Sequence, residues 1–436
     1  MLQTLRDAFK IKDLRRRIGY TFFMLIIVSL GSLLPVPGVN GSAFSSLFAN
    51  SDGALNFFDS ITGGSFSEMS VFALNITPYI TSSIIMQLLT IAFPKLEEMQ
   101  RDGETGRKKM TQITRYLTVG LALGESIAMA IAFGRSGYLV KFNALYVIMV
   151  VAALTAGSAV LMWIGERITE RGIGNGISIV LTINIVSRIP VDLANLKQQF
   201  MSGKTIPKAT LSGVVIAAII IALVVMVVIL QSAERRIPVQ YSNKIQGKRQ
   251  VGGASSVIPM KVNTAGVIPV IFAQSILQTP VMICSLLKVN GTGFWGKVLA
   301  GMSQNNWFNP NNWWYTIGAV VYILLIIGFA YFYTEITFNP LEIAENLKRS
   351  GGFIPGIRPG KPTSDYLTSI LRHIIFIGAV GLSLVAIMPI IFNGLFGASV
   401  SFGGTSIIII VGVIVETLKQ VESQMMVRNY KGFLND

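Results

Sequence analysis

The sequence predicts an all-α membrane protein whose ten transmembrane helices form two inverted halves of five. Of its 436 residues, 52% are hydrophobic and only 13% are charged, and the mean hydropathy is +0.60. This apolar share is well above that of soluble globular proteins. Ten apolar segments follow one another along the chain, and a proline motif recurs five segments apart. Together these observations indicate a multispan membrane protein with an internal repeat.

The ten apolar segments define the predicted spans. A hydrocarbon core of about 30 Å needs about 20 apolar residues in helical form. The segments lie near Ile18–Leu34, Val71–Phe93, Tyr116–Phe133, Leu145–Ile164, Gly174–Ile189, Ala209–Leu230, Gly266–Leu287, Tyr315–Tyr333, Ile374–Phe392 and Ser406–Val415. If both termini are cytoplasmic, the cytoplasmic segments hold 28 of the 36 Lys and Arg residues. This asymmetry predicts that orientation and accounts for the net charge of +15 without a nucleic acid.

The basic N-terminus, residues 1–17, predicts a short amphipathic helix at the membrane surface. Leu2, Leu5 and Phe9 share its apolar side. No small-residue cleavage site follows the first apolar segment, so that segment is expected to remain as span one. The single cysteine, Cys284, lies in an apolar run. One cysteine excludes an internal disulfide and a cysteine-ligated metal site.

Between spans one and two lies an apolar piece, Phe57–Phe66, which is interrupted at Gly63 and Gly64. It is too short to cross a bilayer, so we expect it to dip into the membrane and return. Non-helical backbone is tolerated at that depth only inside protein or beside a watery cavity. The sequence therefore predicts that this piece lies inside a pore, followed by a full span that contains Pro78.

The proline motif indicates where that pore runs. Span two contains ITPYI at Ile76–Ile80, and span seven contains VIPVI at Val267–Ile271. In each, isoleucine follows proline by two residues. Because five is odd, a repeat of five spans must be inverted, and interrupted segments at matching positions point to a pathway between the halves. Chance is the alternative, since proline is common in membrane helices.

Polar groups within the spans leave more than one function class open. Glu125 is the clear mid-span carboxylate, whereas Glu166 falls near a predicted cytoplasmic end, where snorkelling to the interface is expected. Glu125 could serve a coupled-ion site of a small-solute transporter, or it could hydrogen-bond with Gln87 and Asn263 across a gate between helices. A membrane enzyme has less support, because the chain lacks HExxH and Gly-x-Ser-x-Gly motifs and has one histidine.

Two long cytoplasmic loops, residues 231–265 and 335–367, carry six notable basic residues: Arg235, Arg236, Lys248, Arg249, Arg358 and Lys361. Apolar residues such as Ile237 and Ile354 lie between the basic ones. Long ordered loops usually have a function. Alternating basic and apolar groups suit docking of a large cytosolic partner, and loops this basic could touch ribosomal RNA. The alternative is a solvated loop that only follows the positive-inside rule.

Five stretches carry long and specific motifs: GGFIPGIRPG at 351–360, ITERGIGNGIS at 168–178, TPYITSSIIMQLL at 77–89, MKVNTAGVIPVIFAQS at 260–275 and GGTSIIIIVGV at 403–413. They closely resemble the SecY family, the channel subunits of the bacterial protein translocase. The resemblance implies a clamshell of two inverted five-helix halves around an hourglass pore, closed outside by a plug and opening sideways to lipid. It implies a passive channel for unfolded polypeptides, without cofactors or catalytic activity, driven by a partner ATPase or the ribosome.

The same resemblance implies partners, location and organisation. The expected partners are SecE and SecG in the membrane, the SecA ATPase, the ribosome, signal peptides, nascent or precursor polypeptides, and anionic lipids. The expected location is the bacterial plasma membrane, with multiple spans and both termini cytoplasmic. We expect a cytoplasmic N-terminal segment at 1–17, an N-terminal half at 18–190, a C-terminal half at 191–427 and a cytoplasmic tail at 428–436.

Site residues follow from matching the family's motifs to this sequence. The implied pore ring is Ile76, Ile80, Ile177, Leu181, Ile271 and Ile409, with leucine at 181 where isoleucine is frequent in the family. The implied plug is Phe57, Phe58, Asp59, Ser60, Ile61, Thr62, Gly63, Gly64, Ser65, Phe66 and Ser67. A lateral gate between spans two and seven, with spans three and eight beside them, would include Thr81, Gln87 and Asn263, together with Glu125 and Thr279, which the family's motifs do not strictly match. Arg358 matches the family's motor-docking arginine.

Overall fold

The computed structural model describes residues 9–41, 62–200, 206–241, 244–246, 249–251, 255–286, 293–308, 312–396 and 404–432. The described chain is mostly helical. Its helices are α1 (Lys12–Ser32), α2 (Thr77–Ala92), α3 (Pro94–Arg101), α4 (Gly103–Arg135), α5 (Ala144–Arg171), α6 (Gly176–Phe200), α7 (Ile206–Ser232), α8 (Ile268–Leu286), α9 (Phe294–Met302), α10 (Ile317–Thr337), α11 (Pro340–Arg349), α12 (Lys361–Phe396) and α13 (Gly404–Gly432). All except the short helices α3, α9 and α11 overlap predicted spans.

Several of these helices can cross a membrane by length and composition. Among the described residues, six are long and apolar enough, and a seventh span results if α2 and α3 are counted together across their bend of 107°. The six are α4, α5, α6, α7, α10 and α12. Large apolar side chains such as Ile148, Val214 and Ile221 are exposed on their outer sides. Exposed apolar surface of this kind suits contact with lipid, which confirms the multispan class.

The proline motifs start helices instead of interrupting them. Pro78 lies in the first turn of α2, so the expectation that it lies inside a longer span is wrong. Residues 71–76 form turns before the helix begins. Pro269 is likewise the second residue of α8. Proline lacks an N–H group and its φ is fixed near −65°, so it is tolerated in the first turn, where the N–H groups have no helical partner.

The helices associate in two groups that follow the order of the chain. In the first group α4 packs against α2 and α5, and α5 packs against α1 and α6. In the second group α10 packs against α8 and α12, and α13 packs against α7 and α12. Helix α6 contacts both α7 and α13, and so it joins the two groups. The main apolar cores also lie within a group, one around Leu154 and another around Tyr322.

The two long loops predicted to be cytoplasmic fold together through a small sheet. Its strands are β1 (Glu234–Tyr241), β4 (Ser255–Lys261) and β5 (Gly352–Phe353), in the order β4-β1-β5 with antiparallel pairing. A separate hairpin pairs β2 (Lys244–Gln246) with β3 (Arg249–Val251). Because β5 comes from the second loop and β1 from the first, backbone hydrogen bonds tie the two loops to each other.

Candidate functional site

A cavity of about 830 Å³ opens between the two groups of helices. Residues of α2, α4, α5 and α6 line one side, and residues of α8, α10 and α13 line the other. Charged and amide side chains such as Arg115, Glu166 and Lys419 line part of its wall, and branched apolar side chains line another part. A cavity lined by both polar and apolar side chains can be hydrated along its polar wall and repel water along its apolar wall.

The apolar part of the cavity contains most of the predicted pore ring. Five of the six residues line it, namely Ile80, Ile177, Leu181, Ile271 and Ile409. Leu181 and Ile409 are almost fully buried, and Ile80 and Ile271 pack against them. The five side chains come from α2, α6, α8 and α13, so both helix groups contribute to this apolar part of the cavity wall.

Ile76 has a different position from the other five. It is fully buried in a cluster with Leu161 and Ile164 of α5, against which Ile80 and Ile177 also pack. Ile76 is the residue before α2 begins, and it ends the turns of residues 71–76. It therefore supports the constriction from behind in this structure, whereas the sequence match places it in the ring.

An ion pair that sequence reasoning missed braces the wall of the cavity. Arg115 of α4 donates through Nε to Oε1 of Glu166 at 2.9 Å, and its Nη2 lies 2.8 Å from Oε2. This bidentate geometry is the strong form of an arginine–carboxylate contact. Glu166 was expected to snorkel to the interface, but only 12% of its side chain is exposed because it is held by an arginine on the next helix. The two residues stand far apart in the sequence, and no pattern there signalled that they would meet.

The predicted lateral-gate residues are only partly brought together. Gln87 of α2, Tyr333 of α10 and Asn263, which comes just before α8, all line the same cavity. Gln87 and Asn263 each keep one buried amide atom without a partner among the described residues, Oε1 of Gln87 and Nδ2 of Asn263. Thr81 bonds to the carbonyl of Thr77 in its own helix. The side chain of Thr279 lies outside the described residues.

Glu125 does not meet Gln87 or Asn263. Within the described part of the chain the Glu125 side chain makes no hydrogen bond, so the possible bond across the gate is not formed in this structure. Ser82 of α2 bonds to Thr118 of α4, which fixes how the two antiparallel helices are aligned. In that alignment, the residue of α4 that lies level with Gln87 is about 12 residues before Glu125. This corresponds to roughly 18 Å along the helix at 1.5 Å per residue.

The predicted plug is described from Thr62 onward, and Phe57, Phe58, Asp59, Ser60 and Ile61 lie outside the described residues. Thr62, Ser65 and Phe66 are buried. Phe66 packs in the apolar core of the first helix group. This end of the plug is therefore anchored in the N-terminal part of the chain.

The two long loops, 231–265 and 335–367, expose several of their basic residues and bury apolar ones. Arg235, Arg236, Arg358 and Lys361 are exposed, whereas Lys248 and the side chain of Arg249 lie outside the described residues. Ile237 and Ile354 are only 2% and 3% exposed, within one apolar cluster. The expectation that these isoleucines face a partner is wrong, because alternate residues of β1 point into the small core beneath the sheet.

Comparison with known proteins gives consistent results over nearly the whole chain. The SecY family model matches residues 70–418. The protein translocase subunit SecY of Streptomyces galbus is 41% identical over 449 residues, which cover 100% of both chains. A solved SecY structure, described as showing that the plug domain stabilises the closed channel and maintains a membrane seal, has a TM-score of 0.64 at 18% identity and covers 94% of this chain and 92% of that one. Sec61 of the canine ribosome-channel complex has a TM-score of 0.60 at 18% identity, with the same coverage.

Proposed function

Because this chain belongs to the SecY family, we propose that it conducts unfolded polypeptides across the bacterial plasma membrane and releases transmembrane segments sideways into lipid. It is a channel subunit of the protein translocase and is not itself catalytic. The ten helices would form a clamshell of two inverted halves, 18–190 and 191–427, with the short segments 1–17 and 428–436 in the cytoplasm. Work for transport would come from a partner.

The observation that carries the proposal is the set of apolar side chains from both helix groups that line the cavity between them, which we propose form a constriction. Ile80, Ile177, Leu181, Ile271 and Ile409 come from four different helices and converge there. Their side chains offer water and ions no hydrogen bond, and a narrow apolar ring excludes both by dewetting. It also offers no binding group that would retain a passing chain. A channel for polypeptides of any sequence needs both a seal against water and ions and a passage that does not bind the moving chain.

Three further assignments complete the proposed channel. The proposed full pore ring also includes Ile76, which belongs to the buried cluster against which Ile80 and Ile177 pack. The lateral gate lies between α2 and α8, with Gln87 and Asn263 facing the shared cavity. The plug comprises residues 57–67, and its described end is anchored by Phe66.

The cytoplasmic sheet and the loop that follows it form the proposed docking surface. Arg358 is exposed between two proline–glycine turns, and the packing of Ile354 on the sheet core fixes that loop. The guanidinium offers a planar fork of donors that matches carboxylates and phosphates. The proposed partners at this surface are SecA and the ribosome. SecE, SecG and anionic lipids would contact the membrane-exposed sides, and signal peptides would enter at the gate.

Crosslinking of an arrested precursor tests this function. A photoreactive residue is placed at Ile80 or Ile271 in the constriction, and matched probes are placed at Val214 and Ile221, which are exposed on the outer side of α7. We expect crosslinks to a stalled, signal-bearing precursor from the first pair and none from the second. Equal crosslinking from both pairs, or none from the constriction, would contradict transport through this pathway.

A further inference from the structure

The segment formed by residues 63–75 contacts the same turn of α6 at both of its ends. At its start, Gly63 has a φ of +69°, and a Cβ there would lie 2.5 Å from the carbonyl oxygen of Asn184. Ser187 lies beside it, with Oγ 3.5 Å from the Gly63 carbonyl oxygen. At its end, Asn75 accepts a hydrogen bond at Oδ1 from Nδ2 of Asn184 at 3.0 Å. Asn184 therefore touches both ends of the segment.

The rest of the segment is held from other directions. Ser158 of α5 donates to the carbonyl of Asn75 at 3.2 Å, and a Cβ at Gly157 would collide with the carbonyl of Val71. The backbone N–H of Val36 donates to the carbonyl of Met69 at 2.9 Å. The segment is thus seated against α5 and the chain after α1, and α6 closes its two ends.

The Asn75–Asn184 pair is suited to hold this closure. Asn75 has a φ of +51°, a left-handed conformation that asparagine adopts more readily than most residues. Asn75 and Asn184 are only 1% and 6% exposed. If this buried hydrogen bond breaks while the segment stays in place, neither amide can replace it with a bond to water, which is unfavourable. The pair therefore favours a seated segment and resists partial opening.

The position of Asn184 connects the pair to the constriction. Leu181, which lines the constriction, precedes Asn184 by three residues on α6. Residues three apart lie on the same face of a helix, one turn from each other. A chain that pushes α6 aside at Leu181 would also displace the side chain and the carbonyl of Asn184.

We propose that Asn75 and Asn184 form a latch that keeps the plug-bearing segment seated on α6, and that displacement of α6 by an entering chain releases it. The latch rests on the proposed function, because it concerns the plug of that channel. Both asparagines are positioning residues: they hold the segment and do not line the path of the polypeptide.

Thiol labelling tests the seating directly. The native Cys284 is replaced by serine, and Ser65→Cys places a thiol at a site that is 2% exposed and whose hydroxyl has no partner among the described residues. Asn75→Gly keeps the left-handed backbone without strain, and Asn184→Ala keeps the helix, so both variants should fold. Thr182→Ala is the control, since its hydroxyl donates to the Ser178 carbonyl of its own helix.

We expect each latch variant to raise the rate at which a membrane-impermeant reagent labels the introduced thiol by about tenfold, the factor expected for loss of one buried hydrogen bond. The double variant should be labelled no faster than the faster single variant, because both changes remove the same bond. The control should match the parent. Unchanged labelling in the single variants, or multiplied effects in the double, would overturn the latch.

Measuring ion efflux from the same vesicles distinguishes the proposed latch from the proposed sealing role of the plug. If labelling and efflux rise together, the latch holds a plug that seals the idle channel. If labelling rises and efflux stays at the parental rate, the latch stands and the sealing role of the segment is wrong. If efflux rises while labelling is unchanged, the asparagines act elsewhere and the latch is wrong.

Discussion

Replacing Ile409 by asparagine should open the constriction to water without unfolding the protein. Ile409 is 3% exposed and packs with Leu181 and Ile185. Removing this buried apolar side chain costs about 2 kcal/mol of transfer free energy in the closed state. In a dry ring the amide would add an unsatisfied group, whereas in a wetted ring water would satisfy it. The substitution therefore favours the wetted ring by about 2 kcal/mol, or roughly thirtyfold.

Ile408 provides a matched control on the same helix turn. It is fully buried in the apolar core of the second helix group, away from the constriction. Ile408→Asn should cost about 3 to 5 kcal/mol, because the cavity and the unpaired amide both remain in a dry core. We expect it to lower the unfolding midpoint strongly and to leave the resting ion permeability of folded protein unchanged.

The assay is ion efflux from vesicles that contain equal amounts of folded protein, together with export of a precursor with a weakened signal sequence. Ile409→Asn should raise efflux and export relative to the parent, and Ile408→Asn should raise neither. A folded Ile409→Asn protein with parental efflux and parental signal stringency would refute the assignment of the constriction. So would equal effects of the two substitutions.

Three further predictions address the anchor, the brace and the docking loop. Phe66→Ala should cost about 3 to 5 kcal/mol, because Phe66 is 2% exposed in the first core; a thermal midpoint equal to that of the parent would contradict this anchoring. Arg115→Met and Glu166→Gln should show a coupling of only about 1 kcal/mol in a double-mutant cycle of unfolding, because the arginine side chain is 43% exposed; a coupling near zero would mean that the brace is not formed. Arg358→Glu should impair export of a post-translational precursor and leave the resting ion efflux unchanged, and normal export would indicate a loop that is only solvated.

The anchoring of Phe66 also changes what deletion of the plug should do. From the sequence, removal of Phe57–Ser67 would be expected to leave the protein folded, since a dipping half-helix contributes little to packing. The structure buries Thr62 and Phe66 in the first helix group, so that deletion removes core as well as plug. Residues 57–61 can be deleted without touching Thr62 or Phe66. The shorter deletion should therefore raise ion efflux with a smaller loss of stability.

The hydrophobic segments could be predicted from the sequence because each span must be apolar along its own length. Helices overlap all ten predicted spans for this reason, and the motif at Ile76–Ile80 located an element boundary even though Pro78 starts the helix instead of bending it. The proposed constriction was predicted through the family resemblance, since an isoleucine at 409 looks like any core isoleucine. Four isoleucines in a row at 407–410 differ in role only through the direction each one faces.

Contacts between residues far apart in the chain could not be predicted from the sequence. Arg115 and Glu166 are 51 residues apart, and Asn75 and Asn184 are 109 apart. No period or spacing links such pairs, because their meeting depends on how α4, α5 and α6 pack. The apolar residues of the two long loops were misread for the same reason, because Ile237 and Ile354 pack in one cluster once β1 and β5 pair.

The distribution of polar contacts explains how one structure can both seal and open. The bidentate Arg115–Glu166 pair and the Asn75–Asn184 bond each lie within the first helix group. The proposed constriction, in contrast, joins the two groups through apolar side chains. Each pair of touching atoms there contributes only about 0.1 to 0.2 kcal/mol. Moving the groups apart therefore separates weak, non-directional contacts while each group keeps its own hydrogen bonds and ion pairs. Gln87 and Tyr333 belong to different groups and both line the cavity, at the place where a signal peptide would have to part the two groups.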